Sequence, residues 1–221
     1  MPSFFGFIPS ETLLKDIKEA QANRNSSEPT YPLRDKIAMQ LNDEILDNVL
    51  TNMIHHFPPS EKRDTAEKLV GYVKSTVHVL LKQLLSKTPN EQVLQSLAFI
   101  ERSLFTDEEG QLRVGAPLDA TVAAQLKSSF AAILNGGNPK ELRPVLVEQY
   151  KKFADQLVHH FMIDFNKTLD LGMIKRKAAD IGASAVTKAI HIGIDKLIPS
   201  LNSEELKVLA REHDALIHQT H

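Results

Sequence analysis

Apolar residues recur at three- and four-residue spacing along most of the chain, in segments that stop at proline or glycine, the signature of amphipathic helices. Ser10 caps a short first helix carrying Leu13, Leu14 and Ile17. From about Leu33 to His56, Ile37, Leu41, Ile45 and Val49, widened by Leu46, Leu50 and Met53, make one broad apolar face. Pro58-Pro59 ends it, because proline lacks the helical donor and disfavours helical geometry in the residue before it. Ser60 caps the next helix, with Glu61 and Asp64 in the first turn where the dipole favours carboxylates, and with Leu69, Val73, Val77, Leu80, Leu81 and Leu84 as its stripe.

The pattern then predicts a helix opening at Pro89 and an alanine-rich one capped by Asp119 and stopped at Asn135-Gly136-Gly137. A long helix follows from Pro139 to about Phe165, and a last one is capped by Asn202 or Ser203. Before that last one, residues 178–198 carry an apolar stripe (Ala179, Ala183, Val186, Ile190, Ile194, Leu197) beside a stripe of small residues (Ala178, Gly182, Ala185, Ala189, Gly193). Apolar side chains on most of a circumference predict a central helix, shielded on nearly all sides.

That helix also echoes an earlier one. Ala66 to Val93 lies over Ala179 to Leu206 without a gap, with Val77-His78-Val79 on Ile190-His191-Ile192. Leu41 to Phe57 lies over Val145 to Phe161, both ending His-His-Phe. These readings predict an all-α, multi-helix bundle of about seven or eight helices in one domain, with two related halves, 31–105 and 118–221. The halves are joined by a loop over 106–117, in which Gln111 to Val114 could be extended. Residues 1–9 stand outside as an apolar arm, Phe4 to Ile8 bounded by prolines.

Composition narrows the function classes. The 221 residues are 42% hydrophobic and 24% charged, with net charge −2, the proportions of an ordinary globular protein. With no basic excess, nucleic acid is not an expected partner. The chain has no cysteine, so thiol catalysis and thiolate metal sites are excluded, and a reducing compartment, the cytoplasm, is expected. No apolar run approaches a transmembrane span, and the N-terminus lacks the basic and apolar regions of a secretory signal.

The nine histidines are the candidate chemistry. His191 and Asp195, Asp155 and His159, and His160 and Asp164 each lie one turn apart, so imidazole and carboxylate could share a proton or a ligand. His78, His191, His56 and His160 are the residues singled out for ligand binding. A metal would need further ligands from elsewhere, and neither a metal site, a cofactor nor a catalytic residue is assigned. The hydrolase, zincin, phosphate-loop and dinucleotide motifs are absent, and Asp107-Glu108-Glu109 before Gly110 lacks the alternating ligands of a calcium loop.

Partner contacts are expected at the arm (Phe4, Phe5, Phe7, Ile8) and at Lys175, Arg176 and Lys177. Those three cations stand at a helix start, where they oppose its dipole. The leading expectation is a non-enzymatic interaction protein, a homo-oligomer or the partner of another protein. The alternatives are a binder of a small apolar or amphipathic ligand held between the halves, and a histidine-dependent enzyme using a metal or cofactor.

Overall fold

The computed structural model describes residues 2–219, and it is predominantly helical. The α-helical segments are α1 (Glu11–Ala22), α2 (Tyr31–Leu46), α3 (Asn52–His55), α4 (Glu61–Leu84), α5 (Asn90–Arg102), α6 (Ala120–Leu134), α7 (Pro139–Val158), α8 (Phe165–Lys167), α9 (Met173–Ser200) and α10 (Ser203–Asp214). A π-helical stretch, Asp47–Thr51, fuses α2 to α3, and another, His159–Asp164, fuses α7 to α8, so the described residues form eight continuous helical rods. Caps start the rods where the sequence predicts them. Ser10, Ser60 and Asp119 each accept a backbone N–H from their first turn, and Asn202 shares a reciprocal capping box with Glu205.

The helical rhythm does not announce a four-stranded antiparallel sheet of β1 (Ser3–Phe7), β2 (Leu104–Thr106), β3 (Leu112–Leu118) and β4 (Ile217–Gln219), in the order β2-β3-β1-β4. The strands show no clear alternation to read, and although β2 and β3 form a local hairpin, β1 pairs with strands more than a hundred residues away. The predicted arm is therefore an inner strand. Phe5 and Phe7 are buried in the chain's own core, Phe4 stacks on Phe105 with ring centroids 4.7 Å apart, and Ile8 stays exposed. The predicted loop over 106–117 is mostly strand. Only the turn between β2 and β3 remains, and there the Asp107 carboxylate accepts the backbone N–H groups of Glu109 and Gln111 and pairs with Arg113.

The order of elements recurs. β1, α1, α2, π, α3, α4, α5, β2 is followed by β3, α6, α7, π, α8, α9, α10, β4. The recurrence takes in β1 and α1, which the sequence pattern leaves outside the span 31–105. The last strand of each set pairs with the first strand of the other, β2 on β3 and β4 on β1, and β1 meets β3 with Gly6 opposite Gly115. Ala66 to Val93 and Ala179 to Leu206 do occupy matching places in this order. Leu41 to Phe57 does not match Val145 to Phe161: counted from the start of each π stretch, Leu41 answers to Phe153, and the two His-His-Phe triplets fall in different elements.

The expectation of a central α9 is corrected. It packs on α7 and α4, burying Ala179, Ala183, Val186, Gly193 and Ile198, while Ile181 and Ile192 on its outer side are exposed. Two neighbouring rods cover only one side of α9; Ile190, Ile194 and Leu197 are half-buried against the core, and Ile181 is left facing solvent. The small stripe serves close approach on the covered side. A Cβ added at Gly182 would meet the Leu80 side chain, and one at Gly193 the Leu69 side chain.

Candidate functional site

Between the two sets of helices lies an apolar cavity of about 560 Å³, within the size range of small-molecule sites. Its walls come from matching positions. Val73 and Val186, with Val77 and Ile190, line it from α4 and α9; Ile45 and Leu157, with Leu46 and Val158, from α2 and α7. The π stretches contribute Val49 and Leu50 on one side, Phe161 and Met162 on the other. A π turn widens a helix locally and re-aims its side chains, and here both do so around the same space. At the mouth stand Glu61, Lys62, Thr65, Lys196 and Ser200, none of them buried. Lys62 donates to Glu205 at 2.7 Å, while Lys196 has no ion-pair partner among the described residues.

Three polar side chains interrupt the inner wall. Asn42 is buried and donates through Nδ2 to the Ala38 carbonyl at 2.8 Å; among the described residues no donor meets its Oδ1. Tyr150 is buried among Phe130, Phe153 and His213, its hydroxyl has no partner among the described residues, and burial holds the phenol well above its ordinary pKa. His213 is buried with Nδ1 3.1 Å from the Leu209 carbonyl and Nε2 3.0 Å from the Val49 carbonyl. A neutral imidazole has one N–H to donate, so one carbonyl faces a ring nitrogen without a hydrogen. Protonation would satisfy both, but burial lowers the pKa and opposes it.

The four histidines singled out from the sequence are not brought together. His78 on α4 donates to Asp43 on α2 at 2.6 Å, and His191 on α9 donates to Asp155 on α7 at 2.7 Å. These two pairs occupy corresponding places in the recurring order and brace each long helix on its neighbour, outside the cavity wall. His191 meets Asp155 rather than Asp195, which lies one turn away on its own helix and pairs with Lys151 at 2.7 Å. His56 Nδ1 lies 3.1 Å from Glu212. No group of three or more metal-ligating side chains converges among the described residues.

His160 borders a separate shallow cleft with Arg102, Asp164 and Lys167. Burial lowers its pKa to about 4, and its Nε2 lies 3.0 Å from Ser103 Oγ. A serine beside a neutral imidazole invites a nucleophile reading. Ser103, however, is buried, and its Oγ also donates to the Phe99 carbonyl at 3.1 Å; in that arrangement the imidazole N–H donates to Oγ and the pair is a packing contact.

His213 and Tyr150 are not among the residues that the sequence singles out. A signal for His213 was present: it falls on the Leu206, Leu209, Leu216 face of the last helix, where a lone polar residue marks a buried contact. Of the expected partner residues, Lys175, Arg176 and Lys177 stand on the first turns of α9 beside the exposed Met173 and Ile174, and the Gly172 cap adds no side-chain hydrogen bond. No helix among the described residues is long and apolar enough to cross a membrane. No protein-family model, curated protein or solved structure matches the chain.

Proposed function

We propose that the protein is a non-enzymatic binder of one small, mainly apolar molecule, held in the cavity between its two sets of helices. The observation that carries this reading is the cavity itself: about 560 Å³, walled from matching positions of both sets and flanked by both π stretches. Interiors normally pack without voids of this size, and lining a space with Val, Leu, Ile, Phe and Met leaves their dispersion contacts unmade until something fills it. Asn42 offers the occupant one acceptor within the apolar wall, and the mouth offers Lys62 and Lys196 to an anionic end. The preferred ligand class is therefore an amphipathic molecule with an aliphatic body. The recurring element order supports an origin by internal duplication, with the cavity formed where two ancestral units met.

The test is mass spectrometry of the purified protein under native conditions, followed by thermal unfolding with a chain-length series of fatty acids and alkanols. A ligand that binds only the folded state raises the midpoint with concentration. Ala154→Phe, which places a ring in the cavity from α7, is expected to remove that response while the protein still unfolds cooperatively. No bound mass together with no shift from any member of the series would overturn the reading.

A further inference from the structure

We propose that the N-terminal tip of α9 docks on an anionic lipid surface, inserting Met173 and Ile174 between headgroups. These two are the most exposed large apolar side chains among the described residues, at 89% and 87%. Ile181 and Ile192 continue the exposed apolar side down the helix. Lys175, Arg176 and Lys177 follow the tip immediately; among the described residues none of the three has a carboxylate within ion-pair distance, and the one side-chain bond is from Arg176 to the Leu171 carbonyl at 3.5 Å. Asp170, in the segment that precedes the helix, and Asp180, a turn further along it, offset part of this charge. Apolar side chains at a protruding end, collared by cations, are the chemistry of interfacial insertion: the apolar pair enters the acyl boundary and the cations meet phosphates.

A second copy of the chain suits this tip poorly, because a twofold contact through it would set the same three cations against each other. The tip is at the opposite end of α9 from Lys196 and Ser200 at the cavity mouth, so lipid docking and cavity binding can succeed or fail independently.

Vesicle flotation tests this, comparing phosphatidylcholine vesicles that contain phosphatidylserine with pure phosphatidylcholine. The wild-type chain is expected to float with the anionic vesicles and to be released by salt. Lys175→Ala/Arg176→Ala/Lys177→Ala is expected to weaken partitioning roughly a hundredfold, and Met173→Ser/Ile174→Ser to abolish flotation. Met173, Ile174, Arg176 and Lys177 are exposed and Lys175 is half-buried, so both variants should melt as wild type does. Equal flotation with uncharged vesicles, no flotation with anionic ones, flotation unaffected by either variant, or a lipid-free dimer that Met173→Ser/Ile174→Ser dissolves would each overturn the proposal.

Discussion

Leu80 on α4 lies against Gly182 on α9 so closely that a Cβ at Gly182 would stand 2.5 Å from Leu80 Cδ2 and 2.7 Å from Cδ1. The contact has a counterpart, Leu69 against Gly193. In the recurring order Leu69 answers to Gly182 and Leu80 to Gly193, so the contacts are crossed: each leucine of α4 sits on the glycine that answers to the other leucine. Large on α4 and small on α9 lets the two rods approach without a void or a clash.

Gly182→Leu should therefore overpack this seam and cost about 1–3 kcal/mol. Adding Leu80→Ala should return part of that loss, although Leu80→Ala alone destabilises. A double-mutant cycle on denaturant midpoints checks it. Additive effects would show that the two side chains do not share the space.

Removing residues 1–9 should abolish cooperative unfolding. The deletion takes away β1, which pairs with both β3 and β4 and carries the buried Phe5 and Phe7. Gly115→Ala probes the same strand pair more gently, since its Cβ would press on the Phe5 carbonyl oxygen and on Gly6 Cα at 2.8 Å. Backbone cannot step aside as a side-chain end can, and a loss of about 3 kcal/mol is expected. Circular dichroism melts of both proteins decide it; a truncated chain that melts as sharply as the full one would show that the strand is dispensable.

The rods were legible because their signals are local: caps at Ser10, Ser60, Asp119 and Asn202, stops at Pro58 and Gly136, apolar residues at helical spacing. The sheet was not, since β2 and β4 have three residues each and the sheet is completed only when β1 pairs with β3 and β4 from the far end of the chain. Placement failed where it depended on tertiary neighbours. The apolar and small stripes of α9 predicted burial all round, but a small stripe equally suits a rod pressed tightly on one side and bare on the other, as Ile181 is. Likewise the spacing of His191 and Asp195 permitted a pair within one helix, whereas Asp155 on α7 supplied the partner. The cavity has no one-dimensional signature, since its lining residues read as ordinary core.

Stability should fall as pH drops from about 7 to about 4. Burial lowers the pKa of His160 to about 4 and also lowers that of His213. In that window the unfolded chain takes up protons that the folded one refuses, so the stability present above the ordinary histidine pKa is lost on acidification. Around His160, Asp164 works the other way, while His159 and Arg102 reinforce the shift. His160→Gln should flatten the dependence through this window. Denaturant midpoints measured across it for both proteins provide the check, and parallel curves would exclude His160 as a source.

If the space between the two sets of helices is a binding site, an occupant must stabilise the fold. The thermal midpoint of the wild-type chain and of Ala154→Phe is therefore measured against rising concentrations of an aliphatic amphiphile such as a medium-chain fatty acid. A saturable rise in the wild type that is missing from Ala154→Phe is the result expected. Identical responses in the two proteins, or no rise in either, would contradict it.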